Sequence, residues 1–298
     1  MKAILNGAWH VSWHSFLETV NILPFLFLTY LLMEFLEHKS GDLTQRLLRR
    51  SGKIGPLVGG VIGVVPQCGF SAAASGLYGG RLITVGTLLA VYLSTSDEML
   101  PVMISGGVSV WFVFAVLGCK LMIAVAAGFA TDGVYRLLVK EKNADEPQIE
   151  DLCQRDRCKC GDHFVMSAIN HTVRTLLFIF LISLALNGAV EIIGEDTLAG
   201  LVLNRPLLGN LLAALVGLIP NCASSVVLTQ LHLSQVISLG AMMSGLLVNA
   251  GVGLLVLFRN NRPVRDSLRI VCILLCIGVI SGLLLDLTPF STWIGSLK

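Results

Sequence analysis

Residues 65–71 read Val-Pro-Gln-Cys-Gly-Phe-Ser, and residues 219–225 read Ile-Pro-Asn-Cys-Ala-Ser-Ser. The two stretches lie 154 positions apart, and at this single offset their flanking residues match without a gap. The matched pairs include Gly55 and Gly209, Leu57 and Leu211, Gly63 and Gly217, Leu77 and Leu231, Ile83 and Ile237, and Gly86 and Gly240. The second half of the chain therefore repeats the first, and each half carries a proline and a cysteine inside an apolar, glycine-rich segment.

The composition is that of an integral membrane protein. Of the 298 residues, 54% are hydrophobic and only 13% are charged, whereas soluble domains carry about 25% charged residues. A net charge of +2 is too small to indicate a nucleic-acid partner. Six segments are long and apolar enough to cross the bilayer as helices, at approximately 13–36, 82–101, 107–130, 168–190, 234–257 and 268–288.

Two further segments, 54–79 and 207–232, are long enough to span but carry Pro, Gly, Ser and Asn at their centres. Basic residues cluster within 39–53, 136–159 and 259–269, and the positive-inside rule places all three clusters in the cytoplasm. Three full crossings between the first two clusters would leave the second one outside. Each Pro-x-Cys segment is therefore predicted to be a re-entrant helical hairpin, with Pro66 or Pro220 at its tip. The alternative is that each proline kinks a full span.

The same count of crossings makes the two halves inverted with respect to each other. The expected fold is an all-α polytopic membrane protein, an inverted repeat of two halves, each with three full spans and one re-entrant helical hairpin. Three regions follow: a first transmembrane repeat (1–130), a cytoplasmic cysteine-containing loop (131–165) and a second transmembrane repeat (166–298), with both termini outside. A homo-oligomer is compatible with this arrangement. Non-helical backbone within the bilayer is tolerated where it lines a polar cavity, so the two tips predict a binding site near the midplane.

The most polar membrane segment is Leu93-Ser-Thr-Ser-Asp-Glu-Met-Leu-Pro101, in which Pro101 is expected to end the helix. Adjacent carboxylates at Asp97 and Glu98 are costly in a bilayer unless they are protonated, paired or bound to a metal. The alternative is a polar helix end that is wetted at the outer interface. In the second repeat, residues 248–251 align with Ser94 to Asp97, and of these Asn249 keeps a polar ligand atom. One charged half and one neutral half favour a single cation site.

Thiols offer a second set of candidate ligands. Cys68 and Cys222 occupy equivalent positions beside the two prolines, next to the amides of Gln67 and Asn221. Thiolates favour soft ions, whereas hydroxyl, amide and carboxylate oxygens favour hard ions such as manganese. Alternatively, a cysteine in a membrane helix is a small packing residue. The candidate substrate ligands are Asp97, Glu98, Ser94, Ser96, Gln67, Cys68, Asn221, Cys222 and Asn249.

The loop between the repeats carries its own candidate metal site. Its residues Cys153, Cys158, Cys160 and His163 supply three thiols and one imidazole within eleven positions, which is a ligand set that tetrahedral metals accept. The alternative is a solvated linker, since the spacing departs from the usual zinc motifs and basic residues stand between the cysteines.

Several function classes lack their sequence signals. No GxxxxGK[ST] phosphate-binding motif is present, so transport would be secondary or passive. The membrane segments contain no histidine pair or serine motif that would indicate an intramembrane enzyme, and no cofactor is expected apart from the transported ion. A passive ion channel stays an alternative, which flux dependence on a proton gradient would separate from a coupled transporter.

The motifs at 65–71, 93–101 and 219–225 resemble those of a bacterial family of ten-segment heavy-metal exporters, whose members are labelled arsenic efflux proteins or manganese transporters. Six spans and two hairpins of two half-segments each also make ten segments. The resemblance covers nearly the whole chain and implies export of a metal or metalloid across the bacterial inner membrane. It assigns the motif positions to Pro66, Gln67, Cys68, Asp97, Glu98, Pro220, Asn221 and Cys222. From these observations we expect a secondary transporter that exports a metal cation, manganese or a similar divalent metal, with an arsenite or organoarsenical permease using Cys68 and Cys222 as the alternative.

Overall fold

The computed structural model describes residues 54–65, 68–96, 99–138, 164–193, 206–261 and 264–289, together with single positions between 13 and 31. These residues form helices and no strand. The helices of the first repeat are α1 (Ile54–Gly63), α2 (Cys68–Gly79), α3 (Val85–Ser94), α4 (Met99–Ser105) and α5 (Val110–Leu138). They are followed by α6 (Phe164–Ile193), α7 (Pro206–Gly217), α8 (Cys222–Leu233), α9 (Leu239–Val248), α10 (Gly253–Asn260) and α11 (Val264–Leu287).

The helix boundaries repeat at the offset of the sequence match. Helices α2 and α8 begin and end 154 positions apart, and so do α3 and α9. The first residues of α4 and α10 are separated by the same number, as are those of α5 and α11. The sequence repeat is therefore accompanied by a repeat of the helix order.

The turn after α2 is the same as the turn after α8. Arg81 and Gln235, which are 154 positions apart, both have left-handed backbones, with φ of 58° and 61°. The following amide, of Leu82 or Val236, donates across the turn to a carbonyl five residues back, at 2.9 Å in both cases. This bond pattern is a Schellman helix end. A conformation that is uncommon for residues other than glycine thus occurs at equivalent positions.

An aspartate from the last helix of each repeat bonds to the start of another helix. The buried Asp132 of α5 bonds to the start of α3, and the half-buried Asp286 of α11 bonds to the start of α9. Asp132 of α5 accepts from the Gly86 amide at 2.8 Å and from the Thr84 hydroxyl at 2.7 Å. Asp286 of α11, which is 154 residues later, accepts from the Gly240 amide at 2.9 Å and from the Ser238 hydroxyl at 2.8 Å. A carboxylate at a helix N-terminus pairs free N–H groups and complements the helix dipole.

We expect Asp286→Asn to destabilise the protein more than Asp132→Asn. The second oxygen of Asp286 also accepts from the Asn210 amide nitrogen at 2.9 Å. An asparagine at 286 keeps this bond only if the Asn210 amide flips and gives up the bond that its oxygen accepts from the Ser244 hydroxyl. The matching oxygen of Asp132 meets the Thr84 hydroxyl, which can rotate and accept. Hydrogen bonds to charged groups contribute about 1.5–3 kcal/mol each. Melting temperatures in detergent measure the difference, and equal values would contradict this account.

Helix crossings in both repeats depend on paired glycines. Gly86 of α3 contacts the backbone of Gly128 in α5, and Gly240 of α9 contacts that of Gly282 in α11. In each pair, a Cβ atom on either glycine would overlap the other residue's carbonyl oxygen. Small residues at such crossings allow membrane helices to approach closely.

Three helical stretches are long and apolar enough to cross a membrane: Val110–Tyr135, Leu239–Asn260 and Val264–Leu287. They establish a membrane protein, and α5, α6 and α11 overlap the predicted spans 107–130, 168–190 and 268–288. The described positions between Trp13 and Leu31, within the predicted span 13–36, are also helical.

The sequence predicted unbroken helices over 82–101 and 234–257, and each is interrupted by a break that was not predicted. The stretch Leu239–Asn260 is nonetheless long and apolar enough to cross a membrane. Helix α3 ends at Ser94 before α4 begins at Met99, and α9 ends at Val248 before α10 begins at Gly253. Pro101, which was expected to end a helix, lies instead in the first turn of α4. Proline is tolerated there because the amide it lacks would have no partner within the helix.

Candidate functional site

The break after α3 is built by hydroxyl side chains that bond to the preceding turn. Ser94 donates to the Ala90 carbonyl at 2.8 Å, and Thr95 donates to the Val91 carbonyl at 2.7 Å. Ser96 turns back to the Ser94 carbonyl at 3.0 Å. Such local bonds offer the backbone an alternative to continuing the helix. All three hydroxyl residues are buried.

The break after α9 uses an amide and a glycine instead. The Asn249 side-chain oxygen accepts from the Gly251 amide at 3.0 Å, and Gly251 has a positive φ of 52°. Glycine adopts this backbone conformation without steric cost. Asn249 aligns with Thr95, so the two breaks occur at equivalent positions with different side chains.

Lys120 of α5 joins the two breaks. Its amino group donates to the carbonyl of Thr95, which caps α3, and to the carbonyl of Leu246 in the last turn of α9, at 3.1 Å. Carbonyls in the last turn of a helix have no partner within that helix, and they carry the negative end of the helix dipole. The side chain is 0% exposed. The C-terminal ends of two helices, one from each repeat, thus converge on one buried amino group.

The ends of α1 and α7 pack against the same two breaks. A Cβ atom on Gly63, the last residue of α1, would overlap the hydroxyl of Ser94. A Cβ atom on Gly217, the last residue of α7, would overlap the carbonyl of Gly245 in the last turn of α9. The chain segments that contain Pro66 and Pro220 therefore begin beside the helix breaks.

Buried hydroxyls of the first repeat reach the start of α10 in the second. Ser75 of α2 donates to the Gly253 carbonyl at 2.7 Å, and the Tyr92 hydroxyl of α3 donates to the same carbonyl at 3.2 Å. A Cβ atom on Gly253 would also crowd Ser71. Helix α2 of the first repeat thus packs on α10, the helix that follows the break in the second repeat.

The second repeat has a matching polar surface on α8. Asn221 caps this helix, since its side-chain oxygen accepts from the Ala223 amide at 2.9 Å. Thr229 donates to the Ser225 carbonyl at 2.7 Å, and in α2 the Ser75 hydroxyl oxygen lies 2.6 Å from the equivalent carbonyl, that of Ser71. These buried groups are hydrogen-bonded, which is what burial of polar atoms in a membrane protein requires.

The structure brings part of the predicted ligand set to the breaks. Ser94, Ser96 and Asn249 are buried within them, and Asn221 is buried at the start of α8, directly after the half-buried Pro220. Cys68 and Cys222 are the first residues of α2 and α8, but their side chains lie outside the described set. The other predicted residues fall outside the described residues: Pro66, Gln67, Asp97, Glu98, Cys153, Cys158, Cys160 and His163.

Sequence reasoning missed Lys120, Asp132 and Asp286. Lys120 is a single charge inside the predicted span 107–130, and this position alone could have singled it out. The two aspartates match at the offset of 154, so extending the repeat alignment to the last helix of each half would have identified them.

The charged residues near the breaks belong to the first repeat. At the offset of 154, Asp97, Glu98 and Lys120 correspond to uncharged residues, which are Gly251, Val252 and Leu274. Two carboxylates and one amino group are thus replaced together by uncharged residues. Of these three charged residues the structure describes Lys120, which contacts both repeats.

Comparison of the chain with protein-family models, with curated proteins and with solved structures gave no match. Within the ranges that the structure describes, no three His, Cys, Asp or Glu side chains come together as a metal-binding group.

Proposed function

We propose that the protein is a secondary transporter that exports a metal cation, manganese or a similar divalent ion, across the bacterial inner membrane. The observation that carries the proposal is the convergence of the Thr95 and Leu246 carbonyls on the Lys120 amino group. Two helix C-termini direct their negative ends to one buried place, which therefore favours positive charge. Interrupted helices at the junction of two repeats form the substrate sites of many secondary transporters.

Contacts at the two ends of α11 support an inverted arrangement of the repeats. Near its start, Asp266 lies 3.5 Å from the Arg81 guanidinium in the turn of the first repeat. Near its end, Asp286 bonds to Ser238, beside the equivalent turn of the second repeat. Twenty residues separate these aspartates, or about 30 Å at 1.5 Å per residue. Equivalent turns at opposite ends of one spanning helix are what inversion requires.

Contacts of α1 and α2 with α3 support the hairpin. Helix α1 runs alongside α3 in the same direction, since Gly55 packs on Thr87 and Gly63 on Ser94. Helix α2 precedes α3 across a short turn and runs the opposite way. Ile54, at the start of α1, and Leu77, near the end of α2, line one apolar groove. Both arms therefore start and finish at the same end of α3, as a re-entrant hairpin does.

The oxygen-rich surroundings favour a hard cation. Ser94, Ser96 and Asn249 provide hydroxyl and amide oxygens at the breaks, and Asp97 and Glu98 follow directly in the sequence. Carboxylate, carbonyl and water oxygens suit manganese and magnesium, whereas thiolates suit softer metals. Two carboxylates also supply the negative charge that a divalent ion needs in a bilayer.

Cellular manganese content tests this function. A strain that lacks the protein should accumulate manganese and grow poorly in manganese-rich medium, and expression of the protein should restore normal content. The control is the deletion strain with the empty vector, in which the manganese content should stay high. Unchanged manganese content on deletion and on overexpression would contradict the proposal.

A second candidate function is efflux of arsenite or organoarsenicals. It is favoured by the placement of Cys68 and Cys222 as the first residues of α2 and α8, directly after the two chain breaks. If thiols bind the substrate, Cys68→Ser with Cys222→Ser should abolish arsenical tolerance. Under our proposal, the double variant keeps most of its manganese export. Cys272→Ser on α11, whose side chain is exposed, serves as the matched control, and loss of manganese export only in the double variant would favour thiol ligation.

A further inference from the structure

We infer that Lys120 is a tethered cation that competes with the transported ion for the carbonyls at the helix breaks, and so limits the affinity of the site. The inference rests on the proposed function, because it presumes that the transported ion is a cation bound at these breaks. It concerns a residue that determines affinity and release, and it does not depend on which divalent metal is transported.

The position of the amino group supports this role. Lys120 reaches from the middle of α5 to carbonyls that belong to two different repeats, at Thr95 and at Leu246. Both carbonyls lie within hydrogen-bonding distance of one nitrogen, so they are within about 6 Å of each other. A metal ion placed between them would occupy the space that the amino group now fills. The amino group and the metal ion therefore exclude each other from the same oxygens.

Charge adds to this competition. In the sequence, Asp97 and Glu98 follow Thr95 by two and three residues. The Lys120 amino group and a metal ion at the same carbonyls would carry like charges, which repel strongly at a few ångströms in a low dielectric. The second repeat, which has Leu274 at the position of Lys120, also lacks the acid pair. The lysine thus occurs in the repeat that carries the carboxylates.

The alternative is a structural role, in which Lys120 only satisfies carbonyls that the breaks leave unpaired. The two roles predict opposite effects on binding. Removal of a structural bond weakens the site together with the fold. Removal of a competing cation strengthens metal binding but slows release, so affinity rises while export falls.

Equilibrium binding of radioactive Mn²⁺ to the purified full-length chain in detergent tests the inference. We expect Lys120→Met and Lys120→Gln to bind Mn²⁺ at least about tenfold more tightly than the wild type, and to export it more slowly from cells. The glutamine variant keeps an N–H donor without the charge, so it separates the effect of charge from that of hydrogen bonding. Melting temperatures without metal report on the fold.

Each result has a distinct reading. Equal or weaker binding by folded variants would overturn the inference and leave the proposed function standing. Failure of both variants to fold would also overturn it, because a group that the fold cannot lose is not displaced by a substrate. Absence of Mn²⁺ binding in the wild type and in both variants would instead overturn the proposed function, and the inference with it.

Discussion

Replacement of Asp97 by Asn is expected to abolish manganese export while leaving the protein folded. Asp97 comes two residues after Thr95 in the sequence, and Lys120 donates to the Thr95 carbonyl. A divalent ion leaving water for this site needs compensating negative charge, and the neutral amide removes one of the two carboxylates that can supply it. Manganese content of cells that express the variant in place of the wild type measures the effect.

A second acidic substitution controls for the loss of a carboxylate as such. Asp145 lies in the charged loop between the repeats, and Asp145→Asn should leave export at the wild-type rate. Expression level and melting temperature should be similar for both variants. Full restoration of normal manganese content by Asp97→Asn would remove the carboxylate from the mechanism.

The largest loss of stability is expected from Gly86→Ala and Gly240→Ala. In each case the added methyl group would overlap a backbone carbonyl oxygen of the facing helix, at Gly128 or at Gly282, as well as the anchoring aspartate. Overpacking of this kind costs about 1–3 kcal/mol, or more where the backbone must shift. We expect these variants to aggregate, as seen by size-exclusion chromatography in detergent, or to show a strongly lowered melting temperature in thermal unfolding.

Two glycines of α5 provide matched controls. Gly118 and Gly133 have open space where a Cβ atom would be, so alanine there is sterically free and favours the helix slightly. Gly118→Ala and Gly133→Ala should therefore melt at or above the wild-type temperature. If Gly86→Ala melted together with these controls, the close crossing of α3 and α5 would be excluded as a source of stability.

The sequence predicted the features that depend on hydropathy and on the internal match. Apolar composition identified a membrane protein, and the match at 154 residues anticipated the equal boundaries of α2 and α8. Helices α1 and α7 each end three residues before a proline of the repeated motif, since proline removes a helix hydrogen bond and clashes with the preceding turn. These signals are local, and the sequence shows them directly.

The breaks after α3 and α9 were not predicted because their signals are weak in the sequence. Neither break contains a proline, and the residues involved, Thr95 and Asn249, occur in helices as well. Each break depends on side-chain bonds to the backbone. It also depends on Lys120 of α5, which donates to a carbonyl at each helix end. Tertiary partners of this kind lie outside the range of a local pattern.

The candidate site was predicted in part for the same reason. Ser94, Ser96 and Asn249 were identified because polar residues in apolar segments are conspicuous. The convergence of the ends of α3 and α9 on one amino group was not apparent, since it requires the packing of two repeats against each other. Lys120, the residue that joins the repeats there, adds a positive charge to a site for which the sequence analysis had identified no basic residue.

Ion flux into proteoliposomes is the most direct test of the central claim, that the junction of the two breaks carries a metal cation. Purified wild-type protein and Asp97→Asn would be reconstituted and assayed with manganese, zinc, iron, arsenite and methylated arsenicals, with and without an imposed proton gradient. We predict gradient-dependent manganese flux in the wild type and none in the variant. Arsenical flux without manganese flux, or equal manganese flux through both proteins, would contradict the claim.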